Sequence, residues 1–503
     1  MDPAKRIIVN TVVQYSKSVI NTLLSLYTVR LVLLALGQSD YGIFNLIAGV
    51  IAMIGFITNA LVTTTQRHLS YYQGMGDNTK IRKMFANSFL LHLAVGFLLS
   101  IVLLCLMDFL CMEYLNIVPE RRETARLVYG LSVGILFITL MSAPFKALFI
   151  AHENIVYISV IEVLDGILKL VLVVTLLDLS YDRLMIYAWI MVFVIVFQFL
   201  AFAIYGVWKY EECKPSCFLH DYSTAYIKEL SGFATWTTLG MGAVVFRQQG
   251  LAVLINKFFG TVYNASYGIA NQIYGALSFI VTSIINAMNP QIMQAEGKNN
   301  RQLMLHLAEQ ESKFIVSIMA LLFIPLTFEM ENILQLWLGN VPPYATFFSQ
   351  CIFIIFLIDQ TTYGLHTACQ AIGNIRTYTL LMYTPKLLAL VVFWILLKTT
   401  HSLEYVMYSY MAIEALVAIM RLPYLKHIAG INIRHYLVHV FLRFVPLLIV
   451  LIVLSAIQVH LWDSLYRPFV SIPVTVATGL LVMWGTTLTA SERSMILKFT
   501  KKQ

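Results

Sequence analysis

Long apolar runs separated by short polar turns fill this sequence from end to end. A helix that crosses a bilayer needs about 20 mostly apolar residues. On that measure the runs predict about fourteen spans: Ile7–Leu36, Tyr41–His68, Met84–Met112, Thr124–His152, Ile155–Leu177, Leu184–Trp208, Ile227–Lys257, Asn264–Gln291, Leu303–Phe328, Tyr344–Ile372, Tyr378–Lys398, Leu403–Leu425, Ile433–Ile457 and Tyr466–Leu488. The connections are short, and the longest, Lys209 to Tyr226, divides the chain into two similar halves.

Polar and small residues inside these spans fall on stripes. After a predicted tight turn at Gly37-Gln38-Ser39-Asp40, residues Asn45, Gly49, Ala52, Asn59, Thr63 and Gln66 recur at intervals of three, four and seven, and so share one helical face. A second copy follows about 226 residues later. There Gly260 precedes Tyr267-Gly268-Ile269-Ala270-Asn271, which matches Tyr41-Gly42-Ile43-Phe44-Asn45, and the stripe is Asn271, Gly275, Ser278, Thr282, Asn286 and Asn289. A third stripe, Asn10, Gln14, Lys17, Asn21, Ser25 and Thr28, runs along the first span. In lipid such stripes face other helices or water. Close packing of small residues accounts for part of the pattern. Repeated Asn and Gln point further, to a cavity shared by two related bundles.

The junction Ala151-His152-Glu153-Asn154-Ile155 has a counterpart in Ala371-Ile372-Gly373-Asn374-Ile375. Six spans separate the two, so both enter the membrane from the same side and the repeat is parallel. The expected fold is therefore an all-α polytopic membrane protein. An N-lobe of six helices (residues 1–209), a cytoplasmic inter-lobe loop (210–226) and a C-lobe of six helices (227–430) would surround a central cavity. Helices thirteen and fourteen and a cytoplasmic tail (431–503) are an addition.

Composition supports the class. Of 503 residues 59% are hydrophobic and 12% charged, against about 25% charged in soluble domains. The net charge of +8 is thus a topology signal and implies no nucleic-acid partner. With the N-terminus inside, about 20 loop lysines and arginines fall on the cytoplasmic side and about 7 outside, which predicts both termini in the cytoplasm. The discordant outer loop is Glu120-Arg121-Arg122-Glu123, whose acids would offset its arginines. The six cysteines imply no disulfide framework, and Cys213, Cys217 and His220 are too few for structural zinc. No metal or cofactor is expected.

Basic residues inside spans cost about 2.5–3.5 kcal/mol each at a helix centre. Lys17, Arg30, Lys146, Lys169, Arg247, Lys386 and Arg443 all need an offset, by snorkelling, ion pairing or a hydrated anion site. Lys17 on its stripe and Arg247, flanked by Gln248 and Gln249, are candidates for an anion site. Arg30 falls nearly opposite the Lys17 stripe, about 10 Å from Gly37 at 1.5 Å per residue, within reach of the outer surface. Lys146 is expected to snorkel, and Lys169 has Asp165 four residues before it and Glu162 seven before it as structural partners. Among the acids, Asp359 has no basic neighbour within a helical turn, and a lone buried carboxylate holds a proton. Asp359, Glu162 and Asp165 are the candidates for ion coupling.

Leu26-Tyr27-Thr28-Val29-Arg30, Ala35-Leu36-Gly37, Asp40-Tyr41-Gly42-Ile43-Phe44-Asn45, Thr65-Gln66-Arg67, Gly74-Met75-Gly76-Asp77 and Ala151-His152-Glu153 together resemble Wzx-type polysaccharide (O-antigen) flippases. These belong to the multidrug/oligosaccharidyl-lipid/polysaccharide exporter superfamily. The resemblance covers the N-terminal third best. It implies movement of undecaprenyl-pyrophosphate-linked oligosaccharide across the bacterial inner membrane by alternating access, for O-antigen or capsule, alongside membrane lipids and the polysaccharide polymerase machinery. Lys17, Arg30 and Arg247 would then hold pyrophosphate. Asn21, Asn45, Asn59, Gln66, Gln249, Asn271 and Asn286 would line the sugar cavity. The last two helices would form a lipid groove, as in the related lipid II flippases. A lipid II flippase or a cation-coupled multidrug antiporter of the same superfamily is the alternative. A membrane glycosyltransferase is disfavoured by the short external loops and by the lack of HExxH or GxSxG, and there is no P-loop for ATP. The chain is expected not to be an enzyme.

Overall fold

The computed structural model describes residues 3–52, 54–114, 117–177, 181–214 and 221–494. Cys217, His220 and Lys498, Lys501 and Lys502 lie outside them. The helices are α1 (Pro3–Ala52), α2 (Gly55–Met75), α3 (Asn78–Asp108), α4 (Arg122–Ala151), α5 (Ile155–Leu176), α6 (Arg183–Lys209), α7 (Thr224–Phe259), α8 (Thr261–Gly297), α9 (Arg301–Leu338), α10 (Ala345–Gln360), α11 (Tyr363–Ile372), α12 (Ile375–Thr400), α13 (Leu403–Ala429), α14 (Ile433–Leu461) and α15 (Pro468–Thr487). Among the described residues, 11 helices are long and apolar enough to cross a membrane, or 12 with the bent pair α10–α11 taken as one span. Two further stretches fall short of that measure, and the expected fourteen counted both as spans. One is α5, which has a span's length but carries Glu162, Asp165 and Lys169 in its middle. The other is the stretch after Gly37, broken between Ala52 and Gly55. This is a multi-pass, all-α membrane protein.

The chain forms two compact units, Ile8–Met241 and Gly242–Gln503 with Met1–Ile7. The division falls inside α7. In the first unit α4 is the central helix and packs against α2, α3 and α6. Its Val128, Tyr129, Leu140, Ala147, Leu148 and Phe149 are fully buried, as an all-round apolar helix must be. In the second unit the pair α10–α11 holds the equivalent place, against α8, α9 and α13. The contact pattern of the first half is thus repeated in the second.

Backbone conformation repeats as well. Gly37 (φ 74°) and Gly260 (φ 88°) each join a helix to the next through a conformation that costs other residues. The four-residue turn expected at Gly37 to Asp40 is in fact a single-residue kink, because the helix resumes directly after Gly37. At the second pair of junctions, Glu153 (φ 55°) stands where the other half has Gly373 (φ 92°).

Other expectations change. The span expected at Tyr344–Ile372 bends by 46° between Gln360 and Tyr363. The outer arginines are balanced by acids other than Glu120 and Glu123: Arg121 pairs with Asp40 and, at 2.8 Å, with Asp182, while Arg126 reaches Asp108 at 3.0 Å. Helices α14 and α15 are fixed to α9 at both ends. Arg467 and Ser471 both bind Glu329 at 2.8 Å, and Lys313 meets Glu492 at 2.7 Å.

Candidate functional site

In the first unit, α1, α5 and α6 enclose a cavity of about 320 Å³ lined by Asn21, Ser25, Thr28, Asn45, Glu162, Asp165, Lys169 and Tyr187 among others. The stripe read along the first span therefore lines a space inside this unit. The cavity is roomy enough for several waters. Its wall carries polar atoms that ask for a partner, since Oδ1 of Asn21 and Oδ1 of Asp165 are buried without a hydrogen bond. Gly166 makes the close approach possible: a side chain there would run into Leu24 and Asn21.

The bases of this unit are distributed differently from expectation. Lys146, expected only to snorkel, is partly exposed and also ion-paired. Its Nζ lies 2.6 Å from one oxygen of Glu162, and Lys17 lies 2.7 Å from the other. Glu162 thus bridges α1, α4 and α5 and takes up the charge of Lys17. Lys169 forms no ion pair with Asp165 or Glu162; both it and Asp165 face the cavity instead. Arg30 is exposed and has no acidic partner among the described residues. Asn59 is exposed, and Gln66 is buried with an unpartnered Nε2.

In the second unit a buried charge network joins four helices. Arg247 of α7 binds Glu414 of α13 at 2.7 Å and lies 4.4 Å from the centre of the Tyr410 ring. Lys386 of α12 contacts the other oxygen of Glu414 and reaches Asp359 of α10 at 3.6 Å. Arg421 of α13 binds the Asp359 carboxylate at 2.7 Å, and its other arm takes the Asp359 carbonyl and the Thr362 hydroxyl, both at 3.1 Å. Asp359 is therefore not alone. Its partners come from other helices, which a search along its own helix cannot find. Arg421 also caps backbone groups released where α10 breaks from α11, as a broken span requires. The network holds Arg247, Lys386 and Arg421 against Asp359 and Glu414, one positive charge in excess, and the Nε atoms of Arg247 and Arg421 have no acceptor.

Of the polar positions expected on this side, Asn271 is engaged, accepting from Gln248 at 2.6 Å and donating to the Tyr267 carbonyl at 2.9 Å. Gln249 is exposed and Asn286 half-buried. Sequence reasoning missed Arg421, counted as a loop charge, and the role of Glu414. The signal was present, because Tyr410, Glu414, Val417 and Arg421 fall at helical spacing on one face of α13.

A separate groove of about 670 Å³ runs between α9, α10, α13 and α14. Its wall is almost wholly apolar, with Ile324, Phe328, Leu357, Phe444, Leu448 and Ile452 prominent. One of its sides is made by the first appended helix.

No family model matches the chain, and no curated protein does. Solved structures do. A MATE transporter in a bent conformation superposes with a TM-score of 0.74 at 16% identity, over 86% of this chain and 98% of its own. A MOP superfamily transporter from Pyrococcus furiosus, described by a binding pocket of reversed polarity, gives 0.71 at 15% identity over 86% and 96%. An outward-facing multidrug resistance MATE family transporter of the MOP superfamily gives 0.71 at 16% over the same shares. The chain has the fold of these transporters, and about 70 of its 503 residues lie outside the superposed 86%.

Proposed function

We propose that this protein is a flippase of the bacterial inner membrane. Its substrate is an undecaprenyl-pyrophosphate-linked oligosaccharide repeat for O-antigen or capsule, moved by alternating access, with both termini in the cytoplasm. The observation that carries the lipid-linked substrate is the apolar groove beside α14, which has the chemistry of a polyprenyl chain. The excess positive charge in the second unit, with two guanidinium donors unfilled, supports an anionic headgroup. Arg30 is the base with no carboxylate to release before it meets pyrophosphate. Lys17 and Arg247 would first have to exchange Glu162 and Glu414 for it. Asn45, Asn59, Gln249, Asn271 and Asn286, with Asn21 and Gln66, are the proposed sugar contacts. A polysaccharide polymerase is the expected downstream partner, and a lipid II substrate would satisfy the same features.

The test of the groove is photocrosslinking of the purified protein with a diazirine-bearing polyprenyl pyrophosphate. Labelling is expected on α10, α13 and α14, with loss in Leu448→Trp. Labelling spread evenly over all lipid-facing helices would remove the support.

A second reading has its own observation. Glu162 and Asp165 beside a cavity in the first unit suit a cation-coupled multidrug antiporter, and one of the neighbours is described as a multidrug resistance transporter. Drug export that collapses in Asp165→Asn, with no movement of lipid-linked sugar, would select it.

A further inference from the structure

Glu311 lies in α9, about 15 Å along the helix from Arg301 at 1.5 Å per residue. Its side chain is completely buried (0% exposed), and neither carboxylate oxygen has a hydrogen-bond partner. The other acids buried inside the second unit's helices are neutralised differently. Glu414 has Arg247 and Lys386, Glu329 has Arg467, and Asp359 has Arg421.

The surroundings explain why no cation reaches Glu311. The bases on either side are already committed: Lys313 is taken by Glu492 at 2.7 Å, and Arg421 by Asp359. Glu309, two residues earlier, contacts His435 at 3.3 Å. The titratable groups facing Glu311 from packed helices are Tyr363 of α11 and Tyr436 of α14, both uncharged as phenols. Thr367 of α11 stands beside it, but that hydroxyl donates to Asn289 of α8 at 3.2 Å. An ionised carboxylate here would be a buried charge with no counter-charge and no donor beyond the shared Thr367 hydroxyl, an arrangement proteins avoid by neutralising the group.

The position within the fold gives this neutral acid a use. Residues next to Glu311 make the seam between α9 and α11. The Oγ of Ser312 accepts from the Gly364 amide at 2.9 Å, and Gly364 packs so closely that a Cβ there would collide with the Ala308 backbone. Only Thr361 and Thr362 separate α11 from α10 at the 46° bend. The geometry points to Glu311 as a reversible proton-binding site: the protonated side chain lets α11 seat dry against α9, and loss of the proton demands water or a donor and so loosens the seam at the bend. If the chain is a transporter, as proposed above, this is the site at which a proton is linked to its conformational change.

The direct test is pH-difference infrared spectroscopy of the purified full-length protein in nanodiscs, with no substrate present. The wild type is expected to have a protonated-carboxyl C=O band at neutral pH that shifts in heavy water and is absent from Glu311→Gln, while Asp359→Asn keeps it. Thermal stability of Glu311→Gln is expected to match the wild type at neutral pH, because one neutral polar group replaces another. Hydrogen-exchange protection at residues 361–372, taken relative to the intrinsic exchange rate at each pH, is expected to fall with pH in the wild type and to stay flat in Glu311→Gln. An unchanged band in the Gln variant overturns the assignment. So does a band abolished by sodium at fixed pH, which would make the site a metal-cation site. The readings need no transport, so they stand or fall independently of the substrate proposed above.

Discussion

The guanidinium of Arg247 and the carboxylate of Glu414 meet 2.7 Å apart from two different helices, with side-chain exposures of 5% and 2%. A pair so enclosed is worth little as a pair, yet removing Glu414 strands Arg247, at a cost of about 3–5 kcal/mol, whereas removing Arg247 leaves Glu414 with Lys386. Glu414→Gln is therefore expected to lower the thermal unfolding midpoint in detergent strongly. Arg247→Met combined with Glu414→Gln should recover much of the loss, because Lys386 keeps Asp359. Equal midpoints for the single and double variants would show that the pair is not coupled.

Glu162 is the corresponding hub of the first unit. It is partly hydrated, so losing it costs less than a dry pair would, about 1–3 kcal/mol. Because Lys17 and Lys146 share its two oxygens, Glu162→Gln is expected to be non-additive with Lys17→Ala, and a double-mutant cycle on unfolding free energy reads the difference.

Gly37, Gly260 and Glu153 test the backbone. An alanine at either glycine must adopt a positive φ with an extended ψ, a region almost reserved for glycine, at about 1–3 kcal/mol each. Glu153→Gly removes the strain of a positive φ and is expected to raise the melting midpoint, provided its carbonyl still accepts from Asn10 as it does now at 3.1 Å.

Outside the spans, Glu212 supplies a pH dependence. Burial, the largest single influence, would raise its carboxyl, but the hydrogen bond from His152 at 2.7 Å, a backbone hydrogen bond and the charge of His152 together outweigh this and hold it below the usual carboxylate range. A depressed folded value contributes stability that is present above the unfolded value and is lost as pH falls through the folded one. His152→Ala is expected to flatten stability between about pH 5 and pH 3 relative to wild type, measured by unfolding at each pH.

Much of this architecture could be read from the chain, and the boundary has a physical cause. Span lengths, the parallel repeat and the equivalence of Gly37 with Gly260 follow from hydrophobic period and local backbone demands, which neighbours in sequence determine. The stripe through Lys17, Asn21, Ser25 and Thr28 was also legible as one face, but which bundle it faces depends on helices far along the chain. The same limit hid the partners of Asp359 and Lys146. Arg421 and Glu162 approach them across helices, 62 and 16 residues away. Glu311 was obscured because it stands between Glu309 and Lys313 near the start of the span Leu303–Phe328; all three are buried, and what separates Glu311 is the lack of an ionic partner, which only the fold shows.

The most direct test of the proposed function is movement of a fluorescent undecaprenyl-pyrophosphate oligosaccharide across proteoliposomes containing the purified protein, compared with Arg30→Ala and with export of a cationic dye. Flipping by the wild type, a loss of tenfold or more in Arg30→Ala (about 1.4 kcal/mol or more), and no dye export are expected. Dye export driven by an ion gradient, with no flipping of any lipid-linked sugar, would contradict the account and leave the multidrug reading in its place.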